Sequence, residues 1–516
     1  MRSEATFLRS ADLRSVRQRY CGFLDLSVEE FMQIQQHLLE EQMELVSGSV
    51  ESEKLPNWRK SAKVDNFRRL LPLTTYPDYA KFLSSDQRVC FDGDPQWVHT
   101  SAPGGSFKRV PWTLRFQKVQ ARNVVAALIL SSASGGHEIM TKPHLKVVSI
   151  LPDKPFASAY LASDLKEQFH AQIIPAQNGD GAMPFRNKVD AALMQALSSD
   201  IDFVICMTST LLRLSDRAVS MFGDGKVPLG VTQLHPMVSW RLLRSRFNAR
   251  RPLVPGDLWS PKGIVGWGVD SDTLEDKIAR QWGKPLFQMY ASSESGIMSM
   301  QESPRAPMAF LPDSVFLEFL PHSELGTGGD SGTVLIDEVE DGKLYEPVVT
   351  SFYGMPLFRY RQGDLVRIHK SGKGNKAPRM VFHGRADDVI DVYGIARLNG
   401  ETVARAVAAA GTGHNCWCLR KEYEKDRPVL KWYVELGDSA HAAELKHRFH
   451  RELMNADQHY REAVYTVALN PVRLAPLPLG AFKQVLAQNH LEQTQVRMNP
   501  PDAVVQGLLK VVGQVQ

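Results

Sequence analysis

Nowhere in the 516 residues does an apolar run approach the roughly 18 residues that a membrane-spanning helix needs; VVAALIL, at seven residues, is the longest candidate. The opening stretch MRSEATFLRSADLRSVRQRY lacks the compact apolar segment of a secretory signal, so a cytoplasmic location is expected. Cysteine is scarce. Cys21, Cys90, Cys206, Cys416 and Cys418 make an odd, scattered set that fits reduced thiols and excludes a disulfide framework. His414, Cys416 and Cys418 form one close cluster with no matching second half, and the strand-like alternation of CWCLRK favours ordinary cysteines over metal ligands. Neither sign of charge dominates: 61 Lys and Arg stand against 57 Asp and Glu, a balance that does not give the clustered basic footprint of a nucleic-acid binder. Two nucleotide motifs are also missing. There is no G-x-x-x-x-G-K-[ST], and no G-x-G-x-x-G leads from a strand into a helix, which excludes P-loop and dinucleotide-binding readings.

What remains is an ordinary globular composition, 43% hydrophobic and 23% charged, in a chain too long for a single core, since cores rarely grow beyond about 250 to 300 residues. The first hundred residues read as helical scaffold: SVEEFMQIQQHLLEEQMELV repeats apolar positions at three and four, Ser27 and Glu30 make a capping box, and Thr75 with Pro77 mark a further helix start. From about residue 145 to 370 the short apolar strands LKVVSIL, DFVICM, GIVGWGV and PLFQMY alternate with helical segments such as NKVDAALMQALSS and DTLEDKIARQW, the pattern of an α/β sheet covered by helices. A β-richer run follows, with DSVFLEFL, SGTVLIDEVE and PLFRYRQGDLVRI. Beyond GRADDVIDVYG the texture becomes that of a small α+β unit. The expected division is a large domain over 1–384 and a small C-terminal domain over 385–516. No internal repeat, low-complexity tract or signal of oligomeric state is evident.

Two glycine pairs compete as phosphate loops. The pair Gly135 and Gly136 follows the helical QKVQARNVVAALILSS, where glycine is expected to cap the helix C-terminus and Ser134 has no phosphate role. The pair Gly104 and Gly105 instead follows the strand-like QWVHT. It is accompanied by the hydroxyls of Thr100, Ser101 and Ser106 and by Lys108 and Arg109. Small residues admit phosphate oxygens close to backbone N–H groups, and a lysine neutralises their charge. Alone, the segment fits a hairpin turn equally well.

Three further segments give it a context: FQMYASSESG (Phe287 to Gly296), FRYRQGDLVRI (Phe358 to Ile368) and GRADDVIDVYG (Gly384 to Gly394). In this order and spacing they resemble the signatures of the adenylate-forming superfamily of acyl and aryl ligases. The likeness is greatest to the Gretchen Hagen family of acyl-acid amido synthetases and its bacterial relatives, with phenylacetate-CoA ligase next. It runs from LLPLTTYPDY to GAFKQVL, over most of the chain.

The resemblance implies a large α/β domain with a small mobile α+β domain, ATP and Mg²⁺ as cofactors, and a small-molecule carboxylic acid as substrate. The acceptor it implies is an amine, an amino acid in particular, with coenzyme A, a carrier-protein thiol or another nitrogen nucleophile as alternatives; a non-catalytic nucleotide-binding relative is the alternative from another class. Thr100, Ser101, Gly104, Gly105 and Lys108 match its phosphate loop, from which the chain departs at Ala102 and Pro103. Tyr290 matches the aromatic on the adenine face, Ser293 a phosphate contact and Glu294 the Mg²⁺ carboxylate. Asp364 matches the acid that accepts the ribose hydroxyls, Arg385 a nucleotide-facing arginine, Asp387 the interdomain hinge and Lys483 the lysine of the adenylation step. The acid pocket is expected to draw on Cys206 to Leu214, Leu234 to Trp240 and Gly266 to Gly268, whose residues could equally be core.

Overall fold

The computed structural model describes residues 7–8, 10–49, 52–53, 55, 67–84, 90–101, 107–132, 139, 142, 144–176, 185–223, 236–322, 332–370, 375–386, 389–411, 416–424, 427–436, 441–467, 470–489 and 497–515. The chain divides into two compact units. One comprises Met1–Thr100 and Lys108–Ala386, the other Asp387–Gln516 together with Ser101–Phe107.

In the first unit the chain opens with helices. Ser27 and Glu30 form the expected reciprocal capping box at the start of the helix Val28–Ser47, and Pro77 is the second residue of the helix Tyr76–Ser84. The strands β1 (Gln96–Ser101) and β2 (Phe107–Trp112) make a separate two-stranded sheet. Then come β3 (Lys146–Val148), β4 (Gln172–Ile174), β5 (Phe203–Met207), β6 (Gly263–Trp267) and β7 (Leu286–Ser292), separated by helices. They pair in parallel in the order β4-β3-β5-β6-β7. Their near-continuous burial is what helices on the faces of a parallel sheet require.

At β7 the sheet changes character. β8 (Gly296–Gln301) turns back antiparallel on β7, and β9 (Met308–Phe310), β10 (Val315–Pro321), β11 (Leu344–Ser351), β12 (Tyr360–Arg361), β13 (Asp364–His369) and β14 (Arg379–Arg385) complete a twelve-stranded sheet. Arg385 ends β14 opposite Asp364 at the start of β13.

Two local expectations are corrected. SGTVLIDEVE does not form a strand: Val334 makes an isolated bridge to Phe319, and Glu338 accepts the Leu335 N–H at 2.7 Å, which closes a turn. The helix Leu114–Ser131 is not capped by glycine. It ends on Ser132 in an extended conformation, whose N–H reaches the Ile129 carbonyl; Ser134, Gly135 and Gly136 lie outside the described residues.

The second unit holds the hairpin of β15 (Ile390–Val392) and β16 (Ala396–Leu398) and a three-stranded sheet of β17 (Trp417–Glu424), β18 (Arg427–Glu435) and β19 (Val472–Leu477). Helices Gly400–Ala409 and Ala442–Ala456 pack on its core of Trp432, Phe449 and Leu453. Cys418 is buried in β17, and His414 lies outside the described residues.

Candidate active site

In a parallel sheet the carboxyl ends of the strands are where ligands gather. β7 ends there, and the turn Ser293–Glu294–Ser295 connects it to β8. Gly296 opens β8 at φ 66°, and any Cβ on it would lie 2.3 Å from the Gln120 side chain. Four hydrogen bonds fix the turn. Trp112 Nε1 donates to the Ser293 carbonyl (2.7 Å), Ile297 N to Gln120 Oε1 (2.7 Å) and Ser295 N to Ser292 Oγ (3.1 Å), while the Ser292 and Ser295 hydroxyls lie 2.7 Å apart. Trp112 and Gln120 are themselves buried, so the clamp is rigid on both sides.

Glu294 is thereby held as a buried carboxylate. Lys108, the second residue of β2, places Nζ 3.5 Å from Glu294 Oε1. Tyr360 closes a triangle, donating from its hydroxyl to Glu294 Oε1 (3.3 Å) and accepting from Lys108 Nζ (3.4 Å). The Lys108 ammonium also sits 5.3 Å from the centre of the Tyr76 ring. Tyr360 is a site residue that sequence reasoning missed, although it lies inside the quoted FRYRQGD segment, where the charged residues flanking it dominate the pattern.

A second cluster forms around Asp364. Its Oδ1 accepts from Arg385 Nη1 at 2.6 Å and its Oδ2 from the Tyr290 hydroxyl at 2.8 Å. Burial, and next the Asp364 carboxylate, push the Tyr290 phenol well above its ordinary value, so it stays a donor. The Tyr290 ring is buried in the core, 5.8 Å from the Phe382 ring. The pairing of Asp364 with Arg385 follows directly from cross-strand register.

Of the residues singled out in the sequence, Lys108 and Glu294 thus meet, as do Tyr290, Asp364 and Arg385. Thr100 is buried at the end of β1 and Ser293 is half-buried in the turn. Ser101 ends β1. Gly104, Gly105 and Asp387, with Ala102 and Pro103, lie outside the described residues. In the second unit, Lys483 is exposed on the helix Ala481–Asn489, next to Phe482, whose N–H donates to Glu435 Oε1.

Of the segments expected to line the acid pocket or to be core, several residues are core. Leu211, Leu212 and Leu214 belong to a hydrophobic core, Trp240 is 63% exposed, and Gly266 is closely packed, since a Cβ there would meet Leu286 and Thr208.

Among the described residues no group of three or more His, Cys, Asp or Glu could hold a metal ion alone, and no helix is long and apolar enough to cross a membrane. A Mg²⁺ ion suits this donor set only when a nucleotide supplies further oxygens beside Glu294, the usual division of ligands for that ion.

Residues 308–385 match the GH3 family central domain. In sequence the chain is 37% identical over 117 residues to an indole-3-acetic acid-amido synthetase, GH3.4, of Arabidopsis thaliana, covering 21% of this chain and 19% of that protein. It is 36% identical over 102 residues to the 4-substituted benzoates-glutamate ligase GH3.12 of the same plant, covering 20% and 16%. A GH3 domain-containing protein of Homo sapiens is 25% identical over 218 residues, 40% of each chain. The chain spans about a fifth of the length of the first plant relatives it matches.

In three dimensions the likeness extends further. The AtGH3.15 acyl acid amido synthetase in complex with 2,4-DB superimposes with a TM-score of 0.58 at 16% identity, over 97% of both chains. A 2-hydroxyisobutyryl-CoA ligase superimposes with a TM-score of 0.51 at 15% identity, over 91% of this chain and 88% of that one. Residues 308–385 thus match the GH3 family central domain, and the chain as a whole shares its fold with an acyl acid amido synthetase and with a 2-hydroxyisobutyryl-CoA ligase.

Proposed function

We propose that the chain is an ATP-dependent ligase that activates an organic carboxylate as an acyl-adenylate and passes the acyl group to an amine, an amino acid in particular. The observation that carries this reading is the convergence of Lys108, Tyr360 and Glu294 at the end of β7, together with the Tyr290–Asp364–Arg385 cluster of the same unit.

In the first step a carboxylate oxygen of the substrate attacks the α-phosphorus of ATP, the bond to the bridging oxygen breaks, and pyrophosphate leaves. In the second, the amine nitrogen attacks the acyl carbon, AMP leaves and the nitrogen gives up a proton. Thr100, Ser101, Gly104, Gly105 and Lys108 would hold the phosphates, with Ser293 as a further donor. Tyr290 would offer a flat apolar face to adenine, and Asp364 two fixed oxygens to the ribose hydroxyls, with Arg385 holding the carboxylate in place. Mg²⁺, held by Glu294 and phosphate oxygens, would neutralise charge on the leaving group. Lys483 would stabilise charge in the first step, with the small domain, 385–516, turning about Asp387 against the large one, 1–384. A cytoplasmic setting, where ATP is plentiful, goes with this chemistry.

The competing acceptor is the thiol of coenzyme A, which the fold likeness to an acyl-CoA ligase keeps in view. Pyrophosphate release is to be screened over a panel of carboxylic acids, and the productive acid then supplied with amino acids or coenzyme A and the product weighed. An amide mass supports the reading. A thioester mass reassigns the acceptor, and release that persists undiminished in Glu294→Ala overturns the site.

A further inference from the structure

The helix Pro236–Ala249 buries one face and turns an apolar stripe to solvent on the other. Val238 and Leu242 are 5% and 2% exposed within the core beside the parallel strands, and Ser245 Oγ donates to the Asp257 carbonyl at 2.8 Å. At about 100° per residue these three positions fall within one arc of roughly 60°. Trp240, Leu243 and Phe247 fall within another, almost opposite, and are 63%, 66% and 84% exposed. Single exposed apolar side chains are commonplace; three large ones aligned on one helix mark a contact surface.

The sequence that carries the helix is basic, with Asp224 and Asp257 standing at its two ends. From Gly225 to Gly256 the chain contains no Asp or Glu, but it contains Lys226, Arg241, Arg244, Arg246, Arg250 and Arg251. Arg251 is taken up by Asp257, and Arg246 donates to the Gly223 and Arg251 carbonyls. Arg244 lies on the stripe itself, its guanidinium 5.3 Å from the centre of the Trp240 ring. Trp, Phe and Leu flanked by arginine is the chemistry of a helix lying in a lipid headgroup region, where the rings enter the acyl boundary and the guanidinium groups meet phosphates.

We propose that this face docks the chain peripherally on an anionic lipid surface. A second copy of the chain fits less well, because an isologous contact through one stripe sets the same arginines against each other across the two-fold axis. The proposal is independent of the ligase reading.

The full chain is to be sedimented with vesicles of phosphatidylcholine alone and of phosphatidylcholine mixed with phosphatidylglycerol, at low and moderate salt. Binding should appear with the mixed vesicles and weaken with salt, as expected for charges near an anionic surface. Trp240→Ser combined with Phe247→Ser should lower the partition coefficient at least about tenfold, and Arg244→Glu about tenfold with the apolar stripe intact. Circular dichroism and the melting temperature check that both variants remain folded, and Arg244→Glu, on the surface, serves if the double variant does not. Wild-type protein that stays in the supernatant overturns the proposal, as does binding that neither variant weakens. Binding of soluble polyglutamate that is as tight as vesicle binding, or a dimer in sedimentation velocity that Phe247→Ser dissolves without any vesicle binding, assigns the face to a protein partner and also overturns it.

Discussion

The turn that carries Glu294 and the segment Phe358–Asp364 both deliver side chains to the same candidate site, yet they are held by opposite means. The turn is gripped by neutral groups: an indole N–H, a glutamine amide and two serine hydroxyls. The segment is gripped by buried charge. Arg359, 1% exposed and at φ 44°, binds both oxygens of the fully buried Glu318, and its other donors reach Thr333 Oγ1 and the carbonyls of Arg68 and Leu71. Arg361 forks onto Glu346, which also accepts the Gly363 N–H at 3.0 Å. Between these two pairs Tyr360 is aimed at Glu294, and just after them Asp364 begins β13. Neutral clamps fix a tight hairpin cheaply because the backbone already dictates most of its shape. A longer irregular segment has no such help, and only multidentate guanidinium contacts supply enough fixed bonds.

That contrast breaks most visibly at Glu318. Removing one partner of a buried ion pair leaves the other charge uncompensated, at a cost of about 3 to 5 kcal/mol. Glu318→Ala should therefore lower the melting temperature more than Gly296→Ala, Glu346→Gln or Tyr290→Phe, and should lose Tyr360 from the site. A small shift would mean that Arg359 finds water. On the neutral side, Gly296→Ala forces a left-handed residue and a Cβ into Gln120, for about 1 to 3 kcal/mol. Its cost should fall in a Gln120→Ala background, where the clash is gone; an unchanged cost would show that φ alone matters.

The same contrast explains what could be read in advance. Alternating strands and helices from about residue 145 to Ser292, the capping box at Ser27, and the strand–turn placement of Glu294 were legible because periodicity and local chemistry encode them, whereas the expected alternation gives way, among the described residues, to strands alone between Gly296 and Arg385. The pairing of Asp364 with Arg385 was not, since the two residues are 21 apart in the chain and meet only through antiparallel register. Glu318 and Glu346 gave no signal either. Each sits within an apolar strand sequence, and their arginine partners lie 41 and 15 residues away. Tyr360 could have been found by asking which side chains of FRYRQGD share a strand face.

Glu346→Gln tests the second buried carboxylate more gently. The amide oxygen still accepts from Arg361 or from Gly363 N, but no longer from both with full charge. A loss of about 1.5 kcal/mol in stability is expected, with a raised KM for ATP and little change for the carboxylic acid, because the Gly363 backbone leads directly into Asp364. Equal effects on both substrates would detach this segment from nucleotide binding.

The smallest expected effect belongs to Tyr290→Phe. The ring and its packing on Phe382 survive, and only the hydrogen bond to Asp364 Oδ2 is removed, while Arg385 still holds Oδ1. A single such bond corresponds to about fivefold in KM for ATP with kcat nearly unchanged. Since the ribose hydroxyls are the proposed partners of Asp364, the preference for ATP over 2′-deoxy-ATP should shrink in the variant, whereas a merely structural tyrosine would weaken both nucleotides alike. The pH dependence supplies an independent readout. The phenol is raised well above its ordinary value of about 10, so its contribution is fully present below that pH and is lost only as the pH rises through the higher folded value. The ratio of wild-type to Tyr290→Phe affinity should therefore stay flat from about pH 7 to 9. A ratio that falls within that window would mean that the hydroxyl ionises far more easily than its burial beside a carboxylate allows, and Asp364 would then have to be oriented by Arg385 alone.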